Sequence, residues 1–168
     1  MSMFVSRATC EGDPAESTVL VAISNMRSNS FEVFIAARHA VEPFEGVEEC
    51  LADLQGRYTL GVITNGNADV FRLPLGRYFD FAVRAETLAA AKPDPQPFTE
   101  ALRAAGVEAS ETLHVGDHHD HDIAGAMGAG MRSAWFNPKA REWPGGSPAD
   151  GEFGHFAELP ELLRRLEG

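Results

Sequence analysis

The sequence predicts an α/β protein, a doubly wound parallel sheet of Rossmann-like type. Two observations predict it. From residue 46 onward, short apolar runs alternate with segments of helical spacing, as expected of a parallel sheet with helices on both faces. The polar residues that could do chemistry fall just after those runs, where ligands bind in open sheets of this kind. The 168 residues suit one domain with a core large enough to fold alone.

Taken in order, residues 1–45 are the least regular. "STVLVAIS" has the look of one buried strand and "SFEVFIAARHAVEPF" of one helix ended by Pro43; the rest is poorly patterned. "GVEECLADLQGR" spaces Val47, Leu51 and Leu54 on one helical face, with Gly56 as a stop. "YTLGVITN" is a short apolar strand with a polar end, "ADVFRLPLGRYF" a helix broken near Pro74, and "FAVRA" a short strand. "DPQPFTEALRAAG" carries proline in its first turn and Gly106 past its end. "TLHVGD" reads as a strand, "DIAGAMGAG" as a helix, "RSAWF" as a strand and "FAELPELLRRLEG" as an amphipathic closing helix. The glycine- and proline-rich "NPKAREWPGGSPADGEFGH" reads as a surface loop.

Charge narrows the function classes. Fourteen basic residues against 25 acidic give a net charge of −11, which argues against nucleic acid or an anionic membrane surface as the main partner. Cys10 and Cys50 are far apart and in no metal-type spacing, the pattern of a reduced, cytoplasmic protein. No apolar run reaches membrane-spanning length, and the first residues lack a signal-peptide core.

The residues after the strands can hold an anion and a cation together. Thr64 offers a hydroxyl beside the amide-bearing turn Asn65-Gly66-Asn67, and Lys92 offers a positive point charge with three donors. Asp117 and Asp122 supply hard carboxylate oxygens that suit magnesium. His118, His119 and His121 crowd between them; they read as solvated loop residues, with adventitious nickel, cobalt or zinc binding as the alternative. His39, His114 and His155 default to structural roles. Trp135, Phe136 and Trp143 read as core or loop-anchoring aromatics, and glycines 125, 128 and 130 as close helix packing and a helix stop.

"VITNGN", "AKPDPQPF" and "HVGDHHDHDIAGAMGAGM" together resemble motifs II, III and IV of the haloacid dehalogenase superfamily, over residues 31 to 168. The nearest look is to its capped phosphatases of the bacterial flavin mononucleotide phosphatase type. The resemblance implies that Thr64, with Asn65 and Gly66, binds a transferred phosphoryl group and that Lys92 stabilises its charge. It implies that Asp117 binds Mg2+, that Asp122 supports the metal site, and that the substrate is a small phosphorylated metabolite. It also divides the chain into an atypical segment 1–30, a remnant cap helix 31–45 and a core 46–168.

One part of the family pattern is missing. An aspartate nucleophile in an Asp-x-Asp run should end a central strand and form an aspartyl-phosphate. Asp13 has no strand before it, Asp80 precedes a strand, and Asp120–Asp122 belongs to the metal loop. The start looks short by several tens of residues, whether by truncation, a wrong start or rearrangement, so this chain is expected to show little or no turnover. Thr18–Ile23 is expected to fill the vacant central strand position, leaving Ser24 near the place of the nucleophile. A non-catalytic phosphate- or metal-binding or protein-interaction remnant and a haloacid dehalogenase are the alternatives. A phospho-receiver module would have its acidic residues before Thr and Lys, the reverse of the order here. Exposed sheet edges would favour self-association.

Overall fold

The computed structural model describes the backbone of residues 2–6, and residues 43–66 and 69–167 in full. Six strands form one sheet in the order β3-β2-β1-β4-β5-β6: β1 (Ser2–Ser6), β2 (Thr59–Thr64), β3 (Phe81–Arg84), β4 (Leu113–Gly116), β5 (Arg132–Phe136) and β6 (Gly151–Phe153). β2 pairs parallel with β3, and β4, β5 and β6 run parallel to one another. β1 is antiparallel to both β2 and β4.

Three expectations about the sheet need correction. The central position between β2 and β4 holds Ser2–Ser6, not Thr18–Ile23. Thr18–Ile23, Ser24 and the helix expected before Pro43 lie outside the described residues. The sheet is therefore mixed: β2 and β4 still need a partner for their inward backbone groups, and an antiparallel strand satisfies them as fully as a parallel one. The glycine- and proline-rich loop also contains the edge strand β6, whose three residues are too few for alternation to be read.

Between the strands lie α1 (Val47–Leu54), α2 (Ala85–Leu88), α3 (Pro95–Ala105) and α4 (Gly125–Gly128), and α5 (Leu159–Glu167) follows the last. Val47, Leu51 and Leu54 form the buried face of α1, as their spacing predicts. Asp94 caps α3 by accepting from the Gln96 amide at 2.8 Å, with Pro95 in the first turn and Gly106 at φ 70° closing the helix. The segment expected as a broken helix forms two short 3-10 turns, Val70–Arg72 and Pro74–Tyr78. Pro74 lacks the amide that would continue a helix.

The sheet has a core on each face. On one, Leu60, Val62, Leu113, Val115 and Phe136 meet α1, α5 and the aromatic rings of Phe153 and Phe156. On the other, Ile63 and Val83 meet Phe98 and Ala101 of α3 and Ala126 of α4. Each fully buried Val, Leu, Ile or Phe side chain among these contributes about 1.5–3 kcal/mol. No helix among the described residues is long and apolar enough to cross a membrane.

β2 bears Gly61 because β3 lays Phe81 over it: a Cβ there would fall 2.3 Å from the Phe81 ring. Gly61→Val is expected to destabilise the protein by about 1–3 kcal/mol through overpacking. The additional change Phe81→Ala should recover part of that loss, as read from urea midpoints of the single and double variants.

Candidate functional site

The topology brings two strand ends level. Met3 pairs with Val62 on one side and Val115 on the other, so Thr64 and Asp117 each lie two residues beyond that row. Two strand spacings, roughly 10 Å, separate their backbones.

At the β2 end, Thr64 is buried, and its hydroxyl oxygen accepts the Gly66 amide at 3.0 Å. Asn65 turns its side chain toward the loop after β3. Its Oδ1 accepts the Lys92 amide at 2.8 Å, and its Nδ2 donates to the Lys92 carbonyl at 2.9 Å. This reciprocal pair copies a rung of a sheet ladder and fixes the Lys92 backbone. Lys92 is only 5% exposed, and its side chain runs back under β2. Its ammonium donates to Asp122 Oδ1 at 2.5 Å and to the Ile63 carbonyl at 3.3 Å, which leaves one of its three donors for a ligand.

At the β4 end, Gly116 is there because Asp122 folds against it; a Cβ on residue 116 would lie 2.1 Å from that of Asp122. The chain returns through a wide turn, His119–Ala124, with both the Asp122 and Ile123 amides donating to the His118 carbonyl at 2.9 and 3.3 Å. Turns of this π type recur at functional sites. Asp122 Oδ2 accepts the His118 amide at 3.0 Å. Both Asp122 oxygens are thus engaged within the protein. Asp117 differs. Its carbonyl accepts from Trp135 Nε1 at 3.2 Å and Arg141 Nη2 at 3.1 Å, while its buried carboxylate Oδ1 has no hydrogen-bond partner.

Burial alone would raise the Asp122 pKa, but the Lys92 ammonium and nearby His114 hold it well below the usual carboxylate range. His114, fully buried on β4 and edge-on to Phe98, stands with Nε2 3.5 Å from Asp122 Oδ1. That separation is too long for an ordinary hydrogen bond, and neither ring nitrogen has a hydrogen-bond partner. Burial drives the His114 pKa down to about 4, against the pull of Asp122 and with the help of Lys92.

The three loop histidines do not converge. His118 and His121 stack with centroids 4.0 Å apart, and His118 Nδ1 accepts the His121 amide. His119 spends its nitrogens on Asp120 Oδ1 at 2.8 Å and the Gly145 carbonyl at 3.1 Å. Among the described residues, no three His, Cys, Asp or Glu side chains are grouped to hold a metal. The free Asp117 oxygen nonetheless fits magnesium, which keeps several waters and needs only one or two carboxylates.

Sequence reading missed the Asn65 side-chain clamp, the place of His114 behind the ion pair, and Arg141 on the Asp117 carbonyl. His114 had a usable signal, an ionisable residue two positions before the end of a buried strand. Arg141 had none, since its loop is irregular.

The family model for haloacid dehalogenase-like hydrolases matches residues 11–136. The pyrimidine 5'-nucleotidase YjjG of Escherichia coli is 34% identical over 79% of this chain and 62% of its own length. The 5-amino-6-(5-phospho-D-ribitylamino)uracil phosphatase YigB of the same organism is 33% identical over 63% and 44%. Among solved structures, a 2-haloacid dehalogenase from Pseudomonas syringae is 53% identical, with a TM-score of 0.77, over 80% of this chain and 58% of that one. A phosphatase from Thermococcus onnurineus is 29% identical, with a TM-score of 0.70, over 79% and 63%. The chain spans less than two thirds of the length of these relatives. Neither of the two curated relatives is named for flavin mononucleotide, so that closer likeness stays an expectation.

Lys92→Met leaves the Asp122 charge buried and unpaired, and is expected to cost about 3–5 kcal/mol in urea unfolding; adding Asp122→Leu should restore much of it. His114 gives a second outcome. Its folded pKa of about 4 lies below the unfolded value of about 6.5, so its stabilising effect is full above pH 6.5 and fades toward pH 4. His114→Gln should flatten that window by up to about 3 kcal/mol, whereas the Asp122 contribution is lost only as the pH falls below about 4.

Proposed function

Because this chain belongs to the haloacid dehalogenase-like hydrolase family, we propose that it carries the phosphoryl- and metal-binding half of a magnesium-dependent phosphatase of small phosphorylated metabolites. The reading takes residues 46–168 as its core and residues 31–45 as what is left of a cap. The observation that carries it is the Lys92 ammonium, which spans from the carbonyl just before Thr64 to Asp122 in the loop that begins at Asp117. A phosphoryl group beside Thr64 would meet the Thr64 hydroxyl, the amides of the turn and the third Lys92 donor. Asp117 would hold magnesium, which supplies charge neutralisation to the transferring group. Asp122 would act through its neighbours, keeping Lys92 extended and the loop folded beneath Asp117. The names of the relatives point to the substrate class: a nucleotidase and a ribitylaminouracil phosphatase share a small phosphorylated metabolite.

Covalent turnover requires a carboxylate nucleophile, and among the described residues no strand ends in the family's Asp-x-Asp run. The reading is therefore of ligand binding with turnover far below that of a relative that carries the nucleophile. The dehalogenase alternative draws on the 53% identical Pseudomonas syringae structure; the Asp117–Asp122 spacing, which fits a magnesium site, favours the phosphatase.

Calorimetric titration with inorganic phosphate should show binding that requires Mg2+ and is lost in Asp117→Ala, while p-nitrophenyl phosphate is turned over barely or not at all. Robust hydrolysis that survives Asp117→Ala would overturn the site. Chloride release from 2-chloropropionate without Mg2+ would favour the dehalogenase.

A further inference from the structure

We propose that Arg141 is a positioning residue for the cation at Asp117: with Lys92 it holds the peptide between Asp117 and His118 from opposite ends, and so sets where the Asp117 carboxylate stands. The role rests on the reading of Asp117 as the magnesium ligand. At one end of that peptide, the Asp117 carbonyl accepts from Arg141 Nη2 at 3.1 Å and from Trp135 Nε1 at 3.2 Å. At the other end, the His118 amide donates to Asp122 Oδ2 at 3.0 Å, and Asp122 Oδ1 takes the Lys92 ammonium at 2.5 Å. A cation thus faces the negative end of the peptide dipole and a carboxylate its positive end, so both contacts attract. The Asp117 side chain leaves the Cα bonded to this peptide, and fixing the peptide plane limits where its carboxylate can go.

The two cations are presented by the same device. Asn65, the residue after β2, clamps the Lys92 backbone through its side chain. Asn137, the residue after β5, does the same for Arg141 and is only 3% exposed. Its Oδ1 accepts the Arg141 amide at 2.9 Å, and its Nδ2 donates to the Arg141 carbonyl at 2.8 Å. That Nδ2 also donates to Glu152 Oε1 at 2.7 Å, which ties the clamp to β6. The Arg141 guanidinium carbon lies 5.6 Å from the centroid of the buried Trp135 ring, within cation–π reach. Arg141 itself is exposed, and its clamp grips main-chain atoms that any residue at this position would supply. Its side chain can therefore be exchanged without opening the core.

Charge and position predict opposite signs. A guanidinium near a divalent cation repels it, so loss of a bare charge would tighten Mg2+ binding, whereas loss of a hold on Asp117 would weaken it. Calorimetric titration with Mg2+ alone should show binding weakened about fivefold in Arg141→Met. Arg141→Lys, which keeps a charged donor but not the planar fork, should be weakened less. In the metal-free protein, hydrogen exchange at the His118 amide should quicken about fivefold in Arg141→Met, while the β2 amides keep their rates. Mg2+ binding that is unchanged or tighter in Arg141→Met, or unchanged exchange at His118, would overturn this role alone. Wild-type protein that binds no Mg2+ would overturn the magnesium reading and the role together.

Discussion

The buried pair between Lys92 and Asp122 is the constraint on which the candidate site depends. Both side chains are almost wholly removed from solvent, and the two charges meet at 2.5 Å. Such a pair is a poor source of net stability, because desolvating two ions offsets much of their attraction, and apolar residues of the same volume would often serve the fold as well. What the pair does supply is position. It ties the loop after β3 to the loop after β4, passing beneath the end of β2 as it does so. Asn65 completes the arrangement from the other side by clamping the Lys92 backbone, so that the lysine is held by main chain and side chain together.

That arrangement in turn depends on the sheet. β2 and β4 present their carboxyl ends on one edge because each is antiparallel to the strand between them. The direction of the intervening strand does not alter where Thr64 and Asp117 emerge, only what lies between them. Close approach then takes over from hydrogen bonding as the controlling factor. Gly116 lets Asp122 fold against the strand end, and the wide turn at His119–Ala124 returns the carboxylate to Lys92. With both Asp122 oxygens occupied, Asp117 Oδ1 is the buried carboxylate oxygen of the loop left without a hydrogen-bond partner.

His114 shows how a residue outside any motif comes to matter. It sits on the β4 face that meets α3, where burial keeps it neutral next to a negative carboxylate and a positive ammonium. A charged imidazole there would compete with Lys92 for Asp122.

The alternation of strand and helix after residue 46 was legible in the amino-acid sequence, because parallel strands and their covering helices are written in local apolar spacing. So were α3 with its caps and the polar residues that follow β2 and β4, since each rests on neighbours along the chain. The central antiparallel strand, the edge strand β6, the 3-10 turns around Pro74 and the Asn65 clamp were not legible. Sheet position, strand direction and side-chain partners 27 residues apart are set by contacts distant along the chain. Sequence alone therefore determined which polar groups follow the strand ends. Only the tertiary structure decided that Asp122 is spent on Lys92 while Asp117 stays open, because the reach of a carboxylate depends on what packs beside it.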